Sequence, residues 1–221
     1  MCDFFRHVLF MSFILLSAHV AIAQFDDTEN PKPFVGGLSG GINLAQVDGD
    51  RYFGFNKPGV SAGGFVRINF TTRWSACLEF LYSQKGSRGD AYIESSYFGT
   101  YVARCHIGLN YIEVPVTLQL RNKFFNSEAG LSYARLVKTS EWIVVQPSVP
   151  INEVTNRFNT SDFNYVFGIS RRVHKHILVN ARYQYSIASI RPSDRIPQGY
   201  GYGSRGQFNN LVSLRLLYEF Q

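Results

Sequence analysis

From residue 34 onward the chain consists of long stretches in which apolar and polar side chains alternate with period two. Over 74–83, Trp74, Ala76, Leu78, Phe80 and Tyr82 share one face, against Ser75, Cys77, Glu79, Leu81 and Ser83. Over 109–121, Ile112, Val114, Val116, Leu118 and Leu120 oppose Tyr111, Glu113, Thr117, Gln119 and Arg121. Ile177, Val179, Ala181, Tyr183, Tyr185 and Ile187 stand opposite Asn180, Arg182, Gln184 and Ser186. At the end of the chain, Val212, Leu214, Leu216, Tyr218 and Phe220 oppose Ser213, Arg215, Leu217 and Glu219. Successive side chains of a strand point to opposite faces, so sustained alternation predicts strands and not helices.

The pattern predicts eight strands, at 34–46, 58–71, 74–87, 105–121, 124–139, 162–173, 176–191 and 208–220. Tight links fall at Thr72-Arg73, Asn122-Lys123 and His174-Lys175; long ones fall around 47–57, 88–104, 140–161 and 192–207. This strict alternation of short and long links belongs to an outer-membrane barrel, with short turns at one end and loops at the other. A soluble sandwich has no reason to sort its links by parity. The strands also exceed the ~5–6 residues usual in globular proteins and reach the ~9–11 needed to cross a bilayer. The expected fold is therefore all-β, an eight-stranded antiparallel up-and-down transmembrane β-barrel with its apolar face to lipid. Trp74, Tyr82, Phe163, Tyr183, Tyr185, Tyr218 and Phe220 sit where interfacial girdles are expected. A soluble lipocalin-like barrel would invert the two faces; link parity, strand length and the aromatic strand ends favour the membrane version.

The N-terminal residues agree on the compartment. Arg6 and His7 precede an apolar run at 8–16, and Ala21-Ile22-Ala23 before Gln24 has the small-x-small form of a cleavage site. Residues 1–23 are expected to be a signal peptide, 24–33 a short extension and 34–221 the barrel domain. The apolar run is shorter than the ~20 residues of a spanning helix, and Cys2 lies upstream of it, not at a lipidation site. Composition changes the picture little: 19 Phe, 13 Tyr and 19 Gly against 2 Met and 2 Trp favour strands. The net charge of +6 is spread along the chain, with no basic stripe that would suit nucleic acid.

Candidate chemistry begins with charges on the non-lipid face: Arg67, Glu79, Glu113, Glu128, Arg182, Arg215 and Glu219. Eight strands enclose a lumen that side chains just fill, and buried charges there must be paired. An internal ion-pair network that plugs the barrel is expected, with Lys85 and Arg121 nearer its ends; a wider, wetted lumen is the alternative. The long links are the other candidate. Tyr92, Tyr97 and Tyr101, with Arg191, Arg195 and Arg205, suit contact with protein, glycan or lipopolysaccharide phosphate, or a plain solvated loop. Cys77 and Cys105 lie on adjacent strands but toward opposite ends, beyond disulfide reach, and are expected as free thiols. His174 and His176 flank a turn with no adjoining Cys, Asp or Glu to complete a metal site, and His106 has no marked catalytic partner. Phosphate-loop, nucleophile-elbow and zinc-protease motifs are all missing from the sequence, so neither an enzyme nor a cofactor is expected.

Several segments carry a family likeness. They are the Gly-rich Gly36-Gly37-Leu38-Ser39-Gly40-Gly41-Ile42-Asn43, then Tyr82-Ser83-Gln84-Lys85-Gly86, then Tyr111-Ile112-Glu113-Val114-Pro115-Val116. With 162–168 and the terminal Leu216-Leu217-Tyr218-Glu219-Phe220, they resemble the outer-membrane β-barrel domain proteins of Bacteroidetes, the porin or PorT-like family, over about residues 34–221. The resemblance implies a barrel in a Gram-negative outer membrane, inserted by the barrel-assembly machinery and surrounded by lipid and lipopolysaccharide. It names no ligand. A structural or interaction role through the extracellular loops is expected; a small-solute porin or a type IX secretion accessory barrel is the alternative. One departure is Gln221, which follows the terminal aromatic Phe220 that assembly machinery commonly reads.

Overall fold

The computed structural model describes residues 32–50, 52–95, 99–144, 156–196 and 205–220, with backbone alone at 91–95, 99–103 and 143–144. The expected signal peptide, most of the 24–33 extension and Tyr97 lie outside the described residues. Eight strands follow in order: β1 (Phe34–Asp48), β2 (Lys57–Asn69), β3 (Trp74–Ser95), β4 (Gly99–Arg121), β5 (Asn126–Val144), β6 (Ser161–His174), β7 (Ile177–Ser186) and β8 (Phe208–Glu219). Each pairs antiparallel with its neighbours in sequence, and β1 also pairs with β8, from Gly37↔Glu219 to Asp48↔Phe208, closing the barrel. Closure leaves the embedded wall with no unpaired edge, which lipid would not tolerate.

The tight links occupy one end. At the first of them Thr71 Oγ1 accepts the backbone N–H of Arg73 at 3.2 Å and of Trp74 at 2.9 Å, which fixes the reversal. At the second, Asn122 N–H donates to the Phe125 carbonyl at 3.1 Å. On the wall between the two ends, alternate positions face outward and are apolar, including Leu38, Val66, Leu78, Leu118, Ile169 and Leu216. Phe34, Phe70, Trp74, Phe124 and Phe220 ring the tight-turn end. The far end carries Tyr133 against Phe163, with centroids 5.2 Å apart, and Tyr185 stacked on Phe208 at 6.1 Å. Two aromatic girdles around a charge-free apolar band are the surface that a bilayer requires.

Four strands, β3, β4, β5 and β7, differ clearly in length from the expectation. Residues 88–95 and 99–104, read as part of a long link, form a continuation of β3 and β4, in register from Arg88↔His106 to Ser95↔Gly99. The Tyr, Ile, Val and Thr of this stretch suit strand better than the accompanying Gly and Ser suggested. β5 follows, pairing with β4 as far as Arg104↔Val144, with a bulge opposite Asn110/Tyr111. Register between β2 and β3 stops at Ser61↔Ser83, and between β5 and β6 at Arg135↔Ser161. A three-stranded sheet of β3, β4 and β5 therefore projects beyond the barrel wall. Gly86 sits where the projection starts: its φ is +129°, and a Cβ there would collide with the Ile107 carbonyl. The last difference is β7, which ends at Ser186 because the chain then turns inward and buries Ile190 and Arg191.

Candidate functional site

The inner face is filled with side chains in stacked layers. In the middle, Glu79 of β3 accepts hydrogen bonds from Arg182 of β7 and, at 2.7 Å, from Arg215 of β8. Glu128 of β5 accepts from Arg182 Nε at 2.8 Å, Asn180 at 3.1 Å and Gln119 at 3.3 Å, with Arg215 at 3.8 Å. Asn180 Oδ1 in turn accepts from Arg215 Nε at 2.9 Å and Nη2 at 2.8 Å. Two carboxylates and two guanidiniums thus neutralise one another across the width of the barrel, all four buried. Isolated charges at such depth would cost several kcal/mol each, and only this density of charge-assisted bonds offsets that. Gly168 makes room for the arrangement, since a Cβ there would run into Glu128 Oε1.

Toward the tight-turn end, Arg67 of β2 pairs with Glu219 of β8, which also receives Arg172 of β6 at 2.7 Å. An apolar cluster of Phe65, Cys77, Leu178 and Leu217 packs beside this layer. Above the middle, Lys85 of β3 pairs with Glu113 of β4 and lies 3.6 Å from Asp162 of β6. Asp162 accepts from Ser186 at 2.8 Å and from Asn209 at 2.9 Å. Lys85 also lies 5.2 Å from the centre of the Tyr111 ring. Next comes a larger apolar cluster that includes Val47, Tyr52, Cys105, Ile107, Leu109, Phe158 and Ile190. At the mouth, Arg191 grips Glu141 with both terminal nitrogens, at 2.7 and 2.9 Å, and gives Nε to Gln207 at 2.8 Å. Its guanidinium lies 3.9 Å over the Phe158 ring.

All seven charges expected inside the barrel are therefore buried on the inner face. They do not form one cluster: Arg67 with Glu219, Glu113 with Lys85, and the Glu79–Glu128–Arg182–Arg215 group occupy separate levels. Sequence reasoning missed Asp162, Arg172 and Glu141, and set Asn180 on the inner face without its role as a bridge. Asp162 and Asn164 alternate with the outward Phe163 and Tyr165, a signal that could have found the first. Glu141 lay past the expected end of its strand.

The loop residues need corrections. Arg191 does not reach outward: it is 1% exposed and belongs to the plug at the mouth. Arg195, on the short 3-10 turn Ser193–Arg195, donates to Asn159 at 3.0 Å and ties two links together. Arg205 is exposed. Tyr92 and Tyr101 lie in β3 and β4, not in a loop. Cys77 and Cys105 are free thiols, both buried, Cys77 opposite Thr117 and Cys105 opposite Gly89. Outside the band, burial pushes the Asp50 carboxyl up to about 7, against the hydrogen bond from the Tyr52 N–H that favours its ionised form.

Residues 22–191 match the model of the outer membrane protein beta-barrel domain. The chain belongs to that family. Its membrane is the outer membrane, and the tight turns face the periplasm by the rule for such barrels. No curated protein sequence matches the chain. Among solved structures, the barrel is similar to Ail, the attachment invasion locus protein of Yersinia pestis, solved with the heparin analogue sucrose octasulfate. That likeness has 15% identity and a TM-score of 0.45, covering 86% of this chain and 100% of the other. Neisserial surface protein A is similar at 11% identity and a TM-score of 0.39, covering 86% and 98%. OprG from Pseudomonas aeruginosa is similar at 12% identity and 0.37, covering 85% and 94%.

Proposed function

We propose that this outer-membrane barrel is closed to solutes and serves as a rigid anchor that presents an extracellular surface for interaction. The observation that carries the reading is the stack of buried ion pairs across the lumen, capped by Arg191, Glu141 and Phe158 at the mouth. Opening a path would pull buried charges away from their partners, at several kcal/mol for each. The projecting β3–β4–β5 sheet and the links beside it are then the working part, suited to a protein, a glycan or a lipid headgroup. No step of this role needs a reaction or a cofactor. Liposome swelling and planar-bilayer recordings test it: purified protein should pass neither small sugars nor ions. Steady permeation through the wild-type barrel would sink the closed-lumen reading and favour a small-solute porin or a secretion accessory pore.

A further inference from the structure

The three tight turns carry charge of one sign. Residues 69–76, 119–127 and 169–178, which contain them, hold six Lys or Arg and no Asp or Glu. Arg73, Lys123 and Lys175 stand in the turns themselves, all exposed, with Arg121, Arg171 and Arg172 on the strands beside them. Among the described residues, the nearest carboxylates are engaged inside the barrel: Glu219 by Arg67 and Arg172, and Glu128 by Arg182. At the far end both signs occur together, as in Arg191 with Glu141 and Arg104 with Asp90. The periplasmic rim therefore presents a positive field that the barrel itself does not balance.

Height selects what meets it. Arg73 adjoins Trp74 and Lys123 adjoins Phe124, and both rings belong to the girdle, 48% and 67% exposed. One residue is a step of about 3.3 Å, so both charges lie at the headgroup level that such girdles mark. Lys123 Nζ lies 5.8 Å from the centre of the Phe124 ring. The Arg121 N–H donates to the Arg73 carbonyl at 2.7 Å, which holds the first two turns side by side. Arg171 gives the same indication from β6. Its neighbour Arg172 turns in to Glu219, so Arg171 faces out, between the exposed Ile169 and Val173. A guanidinium on the lipid side of the wall, close to a strand end, finds its anion in a headgroup phosphate. The links here are too short to reach past the headgroups toward a soluble partner.

We propose that the periplasmic rim binds the phosphate headgroups of anionic phospholipids in the inner leaflet, with Arg73 and Lys123, beside Trp74 and Phe124, as its principal contact. The binding holds whether or not the lumen passes solutes, so it stands apart from the closed-lumen reading.

The test leaves Trp74 as the sole tryptophan through Trp142→Phe. The protein is folded into vesicles that mix phosphatidylcholine with phosphatidylglycerol, one or the other brominated on its chains. Bromine quenches an indole that it touches, so Trp74 reports which lipid sits at the turn; both leaflets have one composition, so the direction of insertion does not matter. Phosphatidylglycerol should be enriched there about fivefold over its share of the vesicle, the factor that ~1 kcal/mol for a basic group near an anionic surface gives. Raising salt from about 0.1 M to about 1 M, which shortens the screening length from about 10 Å to about 3 Å, should remove most of the enrichment. Arg73→Gln/Lys123→Gln should do the same at low salt, while Arg104→Gln at the far end should not; heat-modifiable gel mobility checks folding. Equal quenching by the two lipids, enrichment indifferent to salt, or full enrichment in the folded double variant would overturn the proposal. If the double variant does not fold, the salt response of the Trp142→Phe protein decides alone. Salt-sensitive retention on isolated peptidoglycan without lipid enrichment would assign the turns to the cell wall instead.

Discussion

Replacing Arg182 by Met should destabilise the barrel more than any other single change in its middle layer. Arg182 is the bridge between Glu79 and Glu128. Without it, Glu79 keeps Arg215 at 2.7 Å, but Glu128 retains that guanidinium only at 3.8 Å, with the neutral donors Asn180 and Gln119. Glu128 becomes a buried, poorly compensated carboxylate, and breaking a buried pair in this way costs about 3–5 kcal/mol. Changing Glu128 to Gln in the same chain removes the excess charge while preserving most of the volume. The double variant should therefore be more stable than the sum of the two single effects by roughly 1–3 kcal/mol, the range for residues in one network. Equilibrium urea unfolding in phospholipid vesicles, read by tryptophan emission and by heat-modifiable mobility, measures all four corners of the cycle. A loss of less than about 0.5 kcal/mol for Arg182→Met, or additivity within that margin, would refute the network as a source of stability.

The other predictions concern the parts around this layer. Gly168→Ala would place a methyl against Glu128 Oε1 and 2.9 Å from the Ala181 carbonyl, so a loss of about 1–3 kcal/mol from overpacking is expected in the same assay. Wild-type stability there would mean that Glu128 does not lie across Gly168. Cys77 and Cys105 should resist a small maleimide in the folded barrel, being 1% and 3% exposed, and react only after unfolding; fast labelling would indicate a wetted lumen. Asp50 binds its proton more tightly when seated, at about 7 against an ordinary value of 3.8. Seating of the first loop is thus firmest below about pH 4, weakens by about 1.4 kcal/mol per unit up to about pH 7, and levels off above. Hydrogen exchange at the Tyr52 amide, which donates to Asp50 at 2.9 Å, should lose protection over that interval once intrinsic rates are removed. Asp50→Asn should make it flat, and an unchanged slope in that variant would assign the dependence elsewhere.

Period-two alternation is a local property, and it was enough to read the strand number, the up-and-down order and the lipid-facing side of each strand. Link parity showed which end carries the turns, and the inner face could be recognised by its Glu and Arg alone. Pairing inside the lumen was not legible. Arg67 meets Glu219 and Glu79 meets Arg215 across most of the chain, and the height at which each residue meets its partner depends on the register of every strand between. The same holds for Arg191, whose loop-like surroundings gave no sign that Glu141, Gln207 and Phe158 would receive it inside the mouth. Gly and Ser around 88–104 also masked a hairpin whose strand character comes from the pairing of its two arms with each other. The amino-acid sequence by itself determined a barrel in the outer membrane, because burial there is set residue by residue. Only closure of the ring decided which charges neutralise one another.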